Sequence, residues 1–229
     1  MQAVRLQLAL PFPHDPTYDA RDFIPAVSNH NALAWLERVV DWPDRRLALW
    51  GQAGCGKSHL LHLWAERVGA VRLAGQTLGG LQDLPATGAV AMDDADTVAL
   101  DTTLLHVLNT ARDRGLIVLM TSRLPPAHWP VRLPDLSSRL RAITSTEIEA
   151  PDDDLLRTML LRLLADRQLQ VSQTVQDWLL RRLPRAPAAL REAVARLDRA
   201  SLVCGKAITR SLAASLLAAE DDCDNDQLC

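Results

Sequence analysis

Residues 47–58 read Leu-Ala-Leu-Trp-Gly-Gln-Ala-Gly-Cys-Gly-Lys-Ser, a short apolar run followed by a glycine-rich loop. The last eight of them match the pattern G-x-x-x-x-G-K-[ST] in full. In such a loop the backbone N–H groups point at phosphate oxygens, the Lys57 ammonium contacts the outer phosphates and the Ser58 hydroxyl can hold Mg²⁺. A glycine-rich turn without a ligand is the alternative, but the apolar run before the loop and a helical pattern after it favour a nucleotide phosphate site. The residues predicted to contact the nucleotide here are Gly51, Gly54, Cys55, Gly56, Lys57, Ser58 and His59.

Short apolar runs alternate with amphipathic stretches around this loop. Helical spacing of apolar residues appears at 31–40, 57–68 and 101–114. Nearly uninterrupted apolar runs of four to six residues are typical of parallel strands covered on both faces. The pattern therefore predicts an α/β fold, an αβα sandwich around a five-stranded parallel sheet. The predicted strands are 47–50, 70–73, 89–92, 116–120 and 143–148.

The pattern changes at Pro151, which we take as a domain boundary. Four stretches downstream carry apolar residues three and four apart, which predicts a small all-α domain over 151–219. Residues 151–210 hold eleven basic and seven acidic side chains, a local positive excess. The predicted organisation is then a 1–22 tail, a 23–150 nucleotide-binding domain, the helical domain and an acidic, disordered 220–229 tail. The predicted helices of the small domain are 152–168, 172–183, 186–204 and 209–219.

Composition narrows the class of protein. The chain has 229 residues, of which 48% are apolar and 23% charged, and this excludes disorder throughout. A formal charge of −3 gives no global reason to expect binding to a polyanion. The four cysteines form no CxxC pair, which favours a reducing compartment over a disulfide framework or a zinc site. With no signal peptide and no apolar run of membrane-spanning length, we expect a soluble, cytoplasmic protein.

Two acids, Asp93 and Asp94, end the third apolar run. Such pairs often only cap helices, but after a phosphate loop they predict a magnesium and water site. Asp93 would reach Mg²⁺ through water, and Asp94 would orient or deprotonate the attacking water. This reading expects the third strand to lie beside the first.

Polar residues also follow the next run. Thr121 and Ser122 would place a hydroxyl near the γ-phosphate, although a turn or helix-capping role is the alternative. Arg139 lies on a predicted short helix at 134–141, from which it could approach a nucleotide held by a neighbouring subunit. A surface ion pair is the other explanation for Arg139. In the helical domain, Arg191 stands in the first turn of a helix, where the macrodipole disfavours a cation, so it could face phosphates rather than solvent.

In this order, the motifs resemble the DnaA/Hda family of AAA+ ATPases. The resemblance implies that the segment with Phe23, Ile24 and Asn29 lies by the adenine of ADP or ATP. It also implies that Thr121 or Ser122 is sensor 1, Arg139 the arginine finger and Arg191 sensor 2. One departure is Ala26, near which family members usually have glycine. The matching stretches are 22–29 with Ala32, 51–58, 92–94, 121–126, 136–140, 190–191 and 197–201.

A second resemblance concerns the first residues. Gln7, Leu8, Leu10, Pro11 and Phe12 resemble the short peptides with which bacterial proteins bind the sliding clamp of DNA polymerase III. The amide and the apolar side chains suit adjoining pockets, and proline keeps such a segment extended, which lowers the entropy lost on docking. A tail that packs on its own domain is the alternative.

The resemblance implies an adaptor that binds adenine nucleotide and the DNA-loaded clamp and stimulates ATP hydrolysis by the initiator DnaA, which prevents re-initiation of replication. Its own ATPase would be weak or absent, and a homodimer is compatible with this role. Sequence-specific DNA binding is not expected, because the chain reaches its acidic tail where DnaA continues into a DNA-binding domain. The alternatives are a stand-alone P-loop ATPase or kinase, with Arg139 acting in cis, and a helicase-loader type AAA+ protein.

Overall fold

The computed structural model describes Tyr18, Ala20, residues 23–204 and residues 208–221. The chain divides after Ala150 into two compact units, a nucleotide-binding unit and a helical lid that begins at Pro151. The predicted clamp-binding peptide, residues 7–12, lies outside the described residues, as does the acidic tail from residue 222 onward.

The nucleotide-binding unit contains a five-stranded sheet in which every pairing is parallel, as predicted. The strand order is β2-β3-β4-β1-β5. The expectation that the third strand lies beside the first is wrong, because β4 pairs with both and separates them. The strands are β1 (Arg46–Trp50), β2 (Val71–Ala74), β3 (Ala89–Asp93), β4 (Ile117–Ser122) and β5 (Ser145–Glu147).

Helices cover both faces of the sheet. Each face of the sheet has its own hydrophobic core. The side chains of Leu47 and Leu49 are in the first core and that of Ala48 is in the second, as the two-residue period of a strand requires. The first core is covered by α1 (His30–Glu37) and α2 (Lys57–Val68), and the second by α3 (Asp101–Asp113) and α4 (Pro134–Arg141).

The edge strands depart from the prediction that all five strands are covered on both faces. Val71 in β2 is 40% exposed, and Ser145 and Glu147 in β5 are exposed as well. An edge strand has a neighbour on one side only, so its side chains are less enclosed than those of β1, β3 and β4.

The described part of the lid contains four helices close to the predicted bounds, namely α5 (Asp153–Asp166), α6 (Gln173–Arg182), α7 (Pro187–Cys204) and α8 (Arg210–Asp221). The Asp152 side chain caps α5 by accepting a hydrogen bond from the Leu155 N–H at 2.7 Å. Helix α5 packs against α6 and α7, and α8 contacts α6 and α7. Glu220 and Asp221, assigned to the tail from the sequence, still belong to α8. Among the described residues, the structure contains no helix with the length and apolar character needed to cross a bilayer.

Candidate functional site

The phosphate loop connects β1 to α2 and turns sharply at Gly51. Gly51 has a φ of 154°, and a Cβ atom there would lie 2.4 Å from the Ile148 carbonyl oxygen. Only glycine therefore lets the loop pass this close to the chain that follows β5. Helix α2 begins at Lys57, so its amino-terminal N–H groups and its positive dipole end face the loop.

The Lys57 ammonium lies inside this loop. Its Nζ donates hydrogen bonds to the carbonyl oxygens of Gly51 at 2.9 Å and Gln52 at 2.8 Å, and the residue is 6% exposed. The Cys55 thiol is also near, with Sγ 3.8 Å from Nζ, and burial raises the pKa of this thiol. The cysteine therefore remains a neutral thiol beside the lysine at physiological pH.

Asp93 connects three elements at the carboxyl edge of the sheet. Its Oδ1 accepts hydrogen bonds from the Ser58 hydroxyl at 3.1 Å and from the Thr121 hydroxyl. The Thr121 hydroxyl in turn accepts a hydrogen bond from the Asp94 N–H at 2.9 Å. The predicted metal residues, Ser58 and Asp93, and one of the two predicted sensor residues are thus brought together.

Ser122 is directed elsewhere. It is fully buried, and its hydroxyl donates to the Leu124 carbonyl oxygen at 2.7 Å rather than to either acid. Successive side chains of a strand point to opposite faces, so Thr121 and Ser122 cannot both face Asp93.

Asp94 occupies an unusual environment. Its backbone is in the left-handed region, with φ 47° and ψ 50°. Burial raises the pKa of its carboxyl, and the nearby charges of Asp93 and Asp96 raise it further. A carboxyl with a raised pKa is a better proton acceptor than an ordinary aspartate, which suits the predicted action on water.

The residues around the loop have the chemistry to hold a phosphate group with Mg²⁺. The Ser58 hydroxyl and the Asp93 carboxylate supply hard oxygen donors, which Mg²⁺ prefers. No group of three or more His, Cys, Asp or Glu side chains within the described ranges could hold a metal ion. A magnesium ion here would accordingly depend on phosphate oxygens and water for most of its coordination.

The segment before α1 reaches the loop from the side. Asn29 is buried, and its side chain donates to the Ile24 carbonyl oxygen at 3.0 Å and accepts from the Ala26 N–H at 2.9 Å. Ala26 has an extended backbone, with φ −148°, which any residue adopts, so the chain accommodates alanine there. The Phe23 ring packs edge-on against His59 at 5.4 Å. Phe23 also lies beside the loop, since a Cβ on Gly56 would be 3.7 Å from its ring.

Two aromatic residues at this site were missed by the sequence analysis. Tyr18 stacks on His62, with ring centroids 3.8 Å apart and planes at 15°, and it meets His59 edge-on at 5.6 Å. His59 and His62 are three residues apart on α2, and this helical spacing was the only available signal. Tyr18 lies in a stretch without periodicity, so nothing in the sequence placed it here.

Arg139 is on α4, away from this loop. Leu136 and Leu140 of the same helix are buried in the core, and Arg139 forms an ion pair with Asp135 at 3.2 Å. Its charge contributes to lowering the pKa of Arg46, the first residue of β1, although burial is the larger cause. Arg139 is in the last turn of α4, from which the chain enters β5 at Ser145, so it lies toward the amino ends of the parallel strands, whereas the loop follows the carboxyl end of β1. The surface ion pair considered from the sequence is therefore present.

Arg191 is the fifth residue of α7, just after the first turn that the sequence predicted for it. It is exposed, whereas Leu190 beside it is buried in the lid core. Arg191 thus contributes little to packing within the lid, and its side chain is available to an outside anion.

Comparison with known proteins supports the assignment of both units. The family "Hda, lid domain" matches residues 152–217. Domain III of the replication initiation protein DnaA from Thermotoga maritima is similar with a TM-score of 0.73 and 19% identity, over 91% of this chain and 98% of that domain. The AMPPCP-bound DnaA of Aquifex aeolicus has a TM-score of 0.63 and 15% identity, over 81% of this chain. A RuvB variant from Thermotoga maritima has a TM-score of 0.65 and 14% identity, over 84% of this chain and 68% of the RuvB chain.

The chain spans 65% of the length of the Aquifex aeolicus DnaA structure. At these identities the solved structures establish the fold alone. The chain therefore has the fold of DnaA domain III, and its residues 152–217 match the Hda lid domain family.

Proposed function

We propose that this chain is a regulatory adaptor that binds an adenine nucleotide and lends Arg139 to the ATP held by the initiator DnaA. The separation between Arg139 and the chain's own phosphate loop carries this proposal. Arg139 lies in the last turn of α4, and the chain from there enters β5, which runs parallel to β1 with its first residue, Ser145, beside Ala48. The loop instead begins at Gly51, after the carboxyl end of β1. An arginine toward the amino ends of these strands supports action on a nucleotide held by another molecule.

The loop residues would hold the nucleotide. Backbone N–H groups and Lys57 bind its phosphates, and Ser58 and Asp93 hold Mg²⁺, which screens phosphate charge when bound. The Thr121 hydroxyl holds the Asp93 carboxylate in place, and Asp94 accepts a proton from water if this chain hydrolyses ATP. The AMPPCP-bound DnaA structure supports nucleotide binding by this fold.

Phe23, Ile24 and Asn29 form the adenine side of the site in this proposal. Asn29 holds the segment through its two hydrogen bonds, and the Phe23 ring supplies an apolar surface beside Gly56. Arg191 acts as sensor 2, for which its exposure near the start of α7 is the support.

The proposed adaptor has two protein partners. DnaA presents the triphosphate that Arg139 approaches, and the sliding clamp binds the Gln7–Phe12 peptide. The proposal of clamp binding depends on the sequence of this peptide alone. A second copy of the chain could also receive Arg139. Arginine fingers are worth about 10³ to 10⁵ in rate in other systems, so the adaptor's effect on DnaA would be large.

The test is a reconstituted DnaA ATPase assay with clamp loaded on DNA. We expect Arg139→Ala to abolish stimulation, whereas Arg141→Ala retains it. Arg141 is the matched control because it is an exposed arginine of the same helix, bonded to Ser137 at 3.0 Å. Equal stimulation by wild type and Arg139→Ala would overturn the proposal.

The same assay separates the alternatives. A kinase or stand-alone ATPase would turn over ATP without DnaA or clamp, and it would lose that activity with Arg139→Ala. A helicase loader would stimulate no hydrolysis by DnaA. Stimulation that needs both DnaA and loaded clamp is specific to the adaptor.

A further inference from the structure

An open groove of about 320 Å³ lies on the lid, and its lining residues have no part in the proposed function. It is lined by Thr174, Trp178, Arg181, Arg182 and Arg210. The groove thus combines three guanidinium groups with one large aromatic side chain, and no carboxylate is among its lining residues.

The lining follows from the spacing on α6. Four of the lining residues share one face of this helix, because the successive spacings are four, three and one residues. They are Thr174, Trp178, Arg181 and Arg182. Val175 and Leu179, on the adjacent face, are buried in the lid core. The indole of Trp178 is partly buried, whereas the four polar lining residues are exposed.

The acid nearest in sequence is already paired. Asp177 binds Arg157 at 2.9 Å, and its carbonyl oxygen accepts the Arg181 Nε–H at 3.1 Å. Among the described residues, no carboxylate lies within ion-pair distance of Arg181 or Arg210. Arg181 and Arg210 therefore bring positive charge to the groove.

Helix dipoles explain only part of this charge. Arg181 and Arg182 are in the last turn of α6, where a cation is stabilised. Arg210 is the first residue of α8, where the positive end of the dipole disfavours a cation. Arginines from opposite helix ends thus line one groove. The position of Arg210 is electrostatically unfavourable in the free lid, and a bound anion would offset this unfavourable energy.

We propose that this groove binds single-stranded nucleic acid, with a base stacked on Trp178 and backbone phosphates on Arg181, Arg182 and Arg210. An aromatic platform within a positively charged, open groove is the arrangement that single strands use, since every base offers a π-face. Guanidinium groups suit phosphate because they donate several N–H bonds at once. An acidic peptide would use the arginines but gain little from the indole.

The experiment measures fluorescence anisotropy of a labelled 20-nucleotide oligo(dT) titrated with the full chain at several salt concentrations. We expect Arg181→Ala with Arg210→Ala to weaken binding about tenfold or more at low salt. The slope of log affinity against log salt should fall by about 1.4, because each lost phosphate contact on a single strand removes about 0.7. Trp178→Ala should weaken binding about tenfold, and Trp178→Phe should retain most of the affinity.

The control removes two charges elsewhere on the lid. Arg185 and Arg199 are 61% and 58% exposed and pair with Asp153 and Glu192. Arg185→Ala with Arg199→Ala should leave affinity nearly unchanged. The proposal is overturned if both double variants lose affinity equally, if both Trp178 variants bind as wild type, or if wild type does not bind. Displacement of the oligonucleotide by ADP would place it at the phosphate loop instead, and tighter binding of poly-glutamate would identify a protein partner. Either result also overturns the proposal, and neither bears on Arg139.

Discussion

At the scale of single residues, the site depends on Asp93. One of its carboxylate oxygens accepts hydrogen bonds from hydroxyl groups on α2 and β4. Ser58 and Thr121 reach it from different elements, so these hydrogen bonds connect α2 and β4 to β3 at the site. A buried acceptor that loses such a partner costs about 1–3 kcal/mol, and Asp93 is only partly buried, so its cost lies toward the lower end. The role of the neighbouring Ser122 is structural, since it bonds to Leu124.

This difference predicts unequal effects of two similar substitutions. Thr121→Val should weaken Mg²⁺-dependent ADP binding about tenfold, because Asp93 and the Asp94 N–H both lose a partner. Ser122→Ala should leave that binding within about twofold, even if it lowers stability. Calorimetric titration of ADP with and without Mg²⁺ measures both, and equal losses would contradict the assignment of Thr121.

Asp94 predicts a pH effect on stability. Its pKa is raised in the fold, mainly by burial, so the folded state holds this proton more tightly than the unfolded chain. Stability contributed by this group is therefore present at low pH and falls as pH rises through the folded pKa. Asp94→Asn should raise the melting temperature at pH 7 by about 1 °C, given the solvent screening at this site, and the gain should shrink toward pH 3.

The control for this prediction is built into the pH dependence. Asparagine also tolerates the left-handed backbone of Asp94, but that benefit does not vary with pH. A difference in melting temperature that stays constant from pH 3 to pH 7 would refute the electrostatic cause.

At the scale of elements, the loop depends on the close approach between Gly51 and the chain after β5. Gly51→Ala would put Cβ 2.4 Å from the Ile148 carbonyl oxygen, whereas Gly69, which caps α2 with φ 67°, has open space around it. Gly69→Ala should cost about 1 kcal/mol from backbone strain alone. Gly51→Ala should cost about 2–3 kcal/mol more. Urea denaturation of both variants checks this, and equal costs would exclude the steric cause.

On helix α4, the ion pair between Arg139 and Asp135 predicts how readily Arg139 reaches a partner's triphosphate. The Arg139–Asp135 pair is partly exposed, so it is worth about 0–1 kcal/mol. If this pair competes with the partner's triphosphate, Asp135→Ala should lower the concentration for half-maximal stimulation of DnaA up to about fivefold. Stability should hardly change. A higher concentration requirement would mean that Asp135 positions Arg139 for action.

At the scale of the whole molecule, ligand binding is linked to unfolding. A nucleotide that binds only the folded chain stabilises it by about 2.7 kcal/mol at 100 times its dissociation constant. ADP with Mg²⁺ should then raise the melting temperature by about 5–10 °C. Lys57→Ala should remove the shift, because its ammonium is the buried cation of the loop. Calorimetry checks this, and a full shift in Lys57→Ala would place the nucleotide elsewhere.

Local sequence patterns predicted much of the fold. Helix α2 has the predicted bounds, 57–68, because the phosphate loop sets its start and Gly69 its end. The four lid helices were found from apolar spacing, which is a local property. The order of strands in the sheet does not follow from local sequence patterns. The expectation that β1 and β3 are neighbours was wrong, because β4 lies between them.

The amino-acid sequence by itself determined the phosphate loop, the alternation of strands and helices and the change to an all-α unit at Pro151, since each rests on the chemistry or periodicity of adjacent residues. Only the tertiary structure decided that Thr121 rather than Ser122 meets Asp93, that Tyr18 stacks on His62, and that Arg139 lies toward the amino ends of the strands, away from its own loop. These outcomes depend on which strands pair and which way a side chain points. Both are settled by packing between residues far apart in the chain.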